Sequence, residues 1–125
     1  MRILLDTHIY LWWLQDNAKL SKSGRERIAS ASEVYVSSAS IWEATIKAGI
    51  GKLDVDVDSL VEEIVNNGFL ELVITAKHAA KVKHLPDIHR DPFDRILVAQ
   101  ALCEPLQFLT ADDNLAGYSE LVEVI

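Results

Sequence analysis

Arg2-Ile3-Leu4-Leu5-Asp6-Thr7-His8 is the stretch from which the rest of the chain is read. Ile3, Leu4 and Leu5 are apolar at consecutive positions, which suits a strand buried on both faces rather than one face of a helix. The run stops abruptly at Asp6, and Ile9 to Leu14 follows as a largely buried helix. A buried strand that ends on an acid and turns at once into a helix is the unit of an α/β sheet.

The same unit recurs downstream. Ser21 to Ala31 reads as a polar-faced helix, and Glu33 to Val36 is a second β-branched and aromatic run. Ser37 to Ser40 leads into a helix through about Ala48, closed by Gly49 and Gly51. Val57 to Asn67 is a further helix with Gly68 as its stop; Phe69 to Val73 is a strand, and Ala76 to Lys83 a short helix ending before Pro86. Asp91-Pro92 gives the strongest helix start in the chain, an Asp cap followed by Pro at the first helical position, and that helix runs to about Glu104. Gln107 to Leu109 is a strand, Asp112 to Gly117 a short helix or turn, and Leu121 to Ile125 a last strand. The alternation predicts a single α/β domain over residues 1–125, an α/β/α sandwich with a mostly parallel central sheet.

Composition supports that plan and narrows the function. A chain of 125 residues, 50% hydrophobic and 25% charged, buries a core without disulfides. Cys103 stands alone in an apolar helical run and reads as a small core residue. No apolar run reaches the roughly 20 residues that span a bilayer, so no membrane role is expected. Met1 to Leu14 carries Asp6 and His8 and no small-residue cleavage site, which makes the cytoplasm the default location. The net charge of −7 argues against nucleic acid when taken alone. It is compatible with a concentrated acidic site neutralised by metal, or with a basic partner.

Four acids fall at the strand-to-helix junctions: Asp6, Glu43, Asp94 and Asp112. In a parallel sheet these junctions share the carboxyl edge, where ligands bind. Each acid also has a plainer explanation. Ser40-Ile41-Trp42-Glu43 matches a capping box, Asp91 is a good cap, Asp94 sits where a helix macrodipole favours a carboxylate, and Asp6 and Asp112 are possible caps. Ser, Thr or Asn would cap as well, however, so capping does not account for acids at all four junctions of one edge.

Four blocks, in order, carry a resemblance. They are Leu4-Leu5-Asp6-Thr7-His8; Ser40-Ile41-Trp42-Glu43-Ala44-Thr45-Ile46-Lys47 with Gly51-Lys52-Leu53; His89-Arg90-Asp91-Pro92-Phe93-Asp94-Arg95 with Ala99-Gln100-Ala101; and Leu109-Thr110-Ala111-Asp112. Together they resemble the signature blocks of PIN-domain proteins, and most of all the VapC-type ribonuclease toxins of type II toxin–antitoxin pairs. The resemblance implies that Asp6, Glu43 and Asp94 are the principal metal-binding and catalytic acids, with Asp112 the more variable fourth. Asp113 is adjacent to Asp112 and competes for that role. Asp91 is implied as a supporting acid or a ligand, and Thr7 and Thr110 as hydroxyls that orient a carboxylate or water. The implied cofactor is Mg²⁺ or Mn²⁺, hard ions that take oxygen ligands. One or two such ions activate water and stabilise the attacking and leaving oxygens of a phosphodiester. The implied partners are an RNA substrate, a cognate antitoxin protein and a second copy of the chain.

Lys47, Lys52, Arg90 and Arg95 flank the acidic blocks as candidate RNA contacts, against an equally good reading as solvated surface; His8 and His89 sit beside acids as possible assistants. Trp12 and Trp13 cannot face the same way on a helix, so one of them is expected in an exposed patch suited to a dimer or partner groove. Asp54-Val55-Asp56-Val57-Asp58 opens like an EF-hand loop, but Ser59 replaces the required Gly and Val65 the closing Glu. Two alternatives stay open. A haloacid-dehalogenase-type phosphatase would also place Asp6 after the first strand, but with a second Asp where His8 stands. A PIN-like module that binds metal or protein without catalysis would keep the acids and show no activity. RNA is favoured over DNA by the resemblance alone.

Overall fold

A computed structural model describes residues 1–125. Five strands, β1 (Arg2–Leu5), β2 (Glu33–Ser37), β3 (Leu70–Leu72), β4 (Gln107–Thr110) and β5 (Val122–Val124), form one sheet in the order β3-β2-β1-β4-β5. Every neighbouring pair is parallel, so the expected mostly parallel sheet is wholly parallel. The helices are α1 (Thr7–Leu14), α2 (Lys22–Ser30), α3 (Ser38–Gly49), α4 (Val57–Asn66), α5 (Ala76–Lys81) and α6 (Pro92–Cys103).

The centre of the sheet explains the apolar run that opens the chain. Ile3, Leu4 and Leu5 are all fully buried because β1 lies between β2 and β4 with helices on both faces. Alternation divides them. Ile3 and Leu5 join Val34, Val36 and Leu109 in one core layer with Ile9, Tyr10 and Ile64. Leu4 joins Phe108 and Leu106 in the other, against Leu97, Val98 and Ala101 of α6. Burying each of these large side chains contributes about 1.5–3 kcal/mol. The strand order also reverses at β1: the chain moves outward through β2 and β3, then returns to β4 on the other side. A crevice at the carboxyl ends of β1 and β4 follows from that reversal.

Local chemistry sets several boundaries differently from the sequence expectation. Helix α1 begins at Thr7 rather than Ile9, because Asp6 is its cap. Helix α3 begins at Ser38 with Ser37 as cap, so Ser40 and Glu43 lie inside the helix and form no capping box. The capping box is instead at Thr75 and His78 on α5, where the imidazole takes the place usually held by Glu or Gln. Trp12 and Trp13 both pack, partly buried, against the core, and Trp42 is the exposed tryptophan, set edge-on to Phe93. In the DVDVD stretch Asp56 caps α4, and Val57 and Asp58 already belong to its first turn.

Between β3 and α6 the chain makes a long excursion that Arg95 fastens down. Its guanidinium donates to the carbonyls of Val82 (3.0 Å), Pro86 (3.0 Å) and His89 (3.3 Å) and to the Tyr118 hydroxyl (3.2 Å). Tyr118 in turn accepts from the His89 amide at 2.8 Å. Arg95, by sequence either an RNA contact or a solvated surface residue, is thus a strut for the segment that carries His89 and Asp91, since both terminal nitrogens of its guanidinium already meet acceptors inside the protein. Arg95→Met is expected to cost about 2 kcal/mol of stability by denaturant unfolding. Amide hydrogen exchange should speed up selectively over residues 82–91; unchanged exchange there would refute the strut.

Candidate functional site

A hollow of about 450 Å³ opens at the carboxyl edge of the sheet, lined by Asp6, Glu43, Asp91, Asp94 and Asp112 together with His8, His89 and Lys47. The acids arrive by different routes. Asp6 follows β1 directly, and Asp112 follows β4 after Ala111. Glu43 projects from within α3, and Asp94 from the first turn of α6, which Asp91 caps.

Four of the five carboxylates, all but Asp94, are held by distinct sets of donors. Asp6 is buried; its Oδ1 accepts from the Thr7 amide at 2.8 Å and its Oδ2 from the Thr110 hydroxyl at 2.6 Å. The Thr110 hydroxyl also accepts from the Asp112 amide at 3.1 Å, so one side chain ties together the ends of β1 and β4. Asp91 accepts from the amides of Phe93 (2.8 Å) and Asp94 (3.4 Å). Asp112 accepts from the Asn114 amide at 2.9 Å. Glu43 is buried, and its Oε2 accepts from Lys47 Nζ at 2.7 Å, one helical turn away. Its Oε1 is buried without any hydrogen-bond partner.

Electrostatics follow from this crowding. Burial pushes the Asp94 carboxyl up to about 7, helped by the charges of Asp6, Asp91, Glu43 and Asp112. Burial likewise raises Asp6, against the opposing pull of the Thr110 and Thr7 hydrogen bonds. Lys47 is raised above its ordinary value, first by its bond to Glu43 and further by the charges of Glu43, Asp91 and Asp94.

These features suit a divalent cation. An orphaned buried carboxylate oxygen costs free energy unless something positive meets it. Single ligand atoms of His89, Asp94 and Asp112 also lie within 4.8 Å of one another. Asp6 and Glu43 lie outside that trio but line the same hollow. The donor set is dominated by oxygen, as Mg²⁺ and Mn²⁺ require.

The remaining candidates separate clearly. Asp112 lines the hollow, whereas Asp113 is exposed and does not. The Thr7 hydroxyl donates to Ser40 Oγ at 2.9 Å, linking α1 to α3, and only the Thr7 amide touches a carboxylate. Lys52 lies outside the acid hollow in a neighbouring one. Arg90 is exposed beside Trp42 and Phe93 in an apolar groove. Sequence reasoning missed a buried polar chain behind the site. Ser37 Oγ donates to Gln100 Oε1 at 2.6 Å, Gln100 Nε2 approaches His78 Nδ1 at 3.5 Å, and His78 Nε2 meets Glu104. The signal was present in Gln100, a polar residue inside the apolar face of α6.

Comparison with known proteins agrees with this fold. A crystal structure of VapBC2 from Rickettsia felis bound to a promoter DNA fragment superposes with a TM-score of 0.67 at 14% identity, covering 100% of this chain and 98% of that one. FitAcB from Neisseria gonorrhoeae gives a TM-score of 0.62 at 19% identity, over 90% and 89% of the two chains. Among curated proteins, Ribonuclease VapC22 of Mycobacterium tuberculosis is 27% identical over 123 residues, spanning 93% of this chain and 91% of the relative. The PIN domain family model matches residues 3–121, and the chain accordingly belongs to the PIN-domain family.

Proposed function

We propose that this protein is a metal-dependent endoribonuclease, the toxin of a toxin–antitoxin pair. The observation that carries the reading is Glu43 Oε1, a buried acceptor with no partner in a hollow lined by further carboxylates. The relatives support the substrate: VapC22 is named a ribonuclease. Asp6, Glu43, Asp94 and Asp112 would hold the cation, with His89 close enough to contribute and Asp91 and Thr110 setting the carboxylates' positions. When bound, a divalent cation supplies the positive charge that activates water and offsets the charge developing on the phosphodiester. Without the cation Asp94 holds a proton more tightly than an ordinary carboxyl, and it would give up that proton as the cation binds. Lys47 keeps Glu43 oriented and partly neutralised.

An antitoxin partner is supported by the VapBC2 structure, a toxin–antitoxin complex. Trp42, Ile46 and Ile50 on or at the end of α3, with Val61 and Val65 on α4, leave apolar surface exposed. That face suits a protein partner, whether the antitoxin or a second copy of the chain.

The direct test is to incubate the purified chain with total cellular RNA in Mg²⁺ or Mn²⁺, with EDTA, and alongside Asp6→Asn. Discrete fragments should appear with the wild type, vanish with EDTA and fall by roughly 100-fold or more in the variant, as loss of a ligand implies. A folded, metal-bound protein that cuts nothing would favour the silent-module alternative.

A second prediction concerns stability without metal. The unfolded Asp94 loses its proton near 3.8 and the folded one near 7, so the folded state binds more protons between those values. Its contribution to stability therefore falls as pH rises through that window. Asp94→Asn should melt higher than the wild type at pH 8 while losing activity. The difference should close towards pH 4, and saturating Mg²⁺ at pH 8 should narrow it by raising the wild type. A variant less stable at pH 8 and still active would remove Asp94 from the cluster.

A further inference from the structure

Beside the acid hollow lies a second one of about 330 Å³, and its walls have the opposite character. His8, Lys47 and Lys52 line it, over a floor that includes Leu11, Ala44 and Leu53, and no carboxylate takes part. His8 and Lys47 line both hollows, so the two are contiguous. We propose that this basic hollow is a subsite for the phosphate that neighbours the scissile one on the RNA strand. The proposal rests on the nuclease reading above.

The chain builds this wall deliberately at the end of α3. After Gly49 the backbone folds back, with the Lys52 amide donating to the Lys47 carbonyl at 2.8 Å. Gly51 permits the reversal, since its φ of 76° lies where side chains are rarely tolerated. The result is that Lys52, distant along a continuing helix, comes to the same hollow as Lys47. The two lysines differ in what they face. Lys47 is already paired with Glu43, whereas no carboxylate oxygen lies within 4.0 Å of Lys52.

In a chain of net charge −7, an acid-free hollow with an unpaired lysine, contiguous with the acids, favours an anion there. Because His8 and Lys47 line both hollows, a polyanionic strand threaded to the acid hollow from this side would run along this wall. The Leu11 and Leu53 floor offers apolar contact to the intervening sugar. Lys52 would therefore act on binding and register of the strand, as phosphate contacts do, and not on the bond being broken.

The test uses the intact protein and a short fluorescent RNA containing one cleavage site, comparing wild type, Lys52→Gln and Lys52→Arg across a salt series. A second set of RNAs carries one neutral methylphosphonate at each linkage next to the cut. Lys52→Gln should lower kcat/KM about tenfold, mainly through KM, and reduce the log–log salt slope by about one. Lys52→Arg should restore most of the loss. One particular neutralised linkage should cost the wild type a similar factor and cost Lys52→Gln nothing further. Wild-type kcat/KM in Lys52→Gln at low salt, or losses that add at every linkage, would overturn the subsite. A folded wild type that cuts no RNA would defeat the nuclease reading instead. The subsite would then be decided by anisotropy of the same RNA on Asp94→Asn, with and without Lys52→Gln: an unchanged Kd overturns it.

Discussion

Carboxylates gathered in one partly buried hollow repel one another, and the fold opposes that repulsion at almost every acid with a donor of its own. Asp6 has the Thr7 amide and the Thr110 hydroxyl, Asp91 the amides of its own helix start, Asp112 the Asn114 amide, and Glu43 the Lys47 ammonium. The Asp94 carboxylate accepts no such bond, and burial, together with the charges of its neighbours, raises its pKa to about 7. Glu43 keeps one oxygen in reserve. A site with one unsatisfied acceptor and one reluctant acid is arranged around a charge of the opposite sign, and the protein's other local choices make sense in that light.

The scaffold behind the hollow is correspondingly braced. Thr7 and Ser40 join α1 to α3. Ser37, Gln100, His78 and Glu104 run as a polar chain from the start of α3 to α6 and α5. Arg95 and Tyr118 fasten the excursion that delivers His89 and Asp91. Buried polar side chains are costly unless satisfied, so these contacts define the arrangement more narrowly than apolar packing alone. Glu43 and Asp94 come from α3 and α6, and it is these two helices that the Ser37–Gln100 bond connects.

Several residues have more than one role, and that is why plain and functional explanations competed in the sequence. Asp6 is both the cap of α1 and an acid of the hollow; Asp91 and Asp112 likewise cap helical segments while lining it. Capping orients a carboxylate at the positive end of a helix and so prepares it for the site. Glu43 is different. Its position inside α3 removes the capping explanation and leaves burial beside Lys47 without a structural purpose of its own.

The sequence by itself determined the alternation of buried strands and helices, the helix start at Asp91-Pro92 and the acids carried by the junctions, because periodicity and turn chemistry act over a few neighbouring residues. It also contained the ordered blocks that place the chain in its family. Which residues meet was decided only by the tertiary structure. The order β3-β2-β1-β4-β5 brings the end of β1 beside the end of β4, and so Asp6 beside Thr110 across more than half the chain. Side-chain direction was equally beyond the sequence: Arg95 turns inward to carbonyls, Asp112 faces the hollow while Asp113 faces solvent, and Trp42 is exposed where Trp12 and Trp13 are packed. Adjacent residues share the same local pattern, and only the packing of distant elements against them settles which side of the chain is inside.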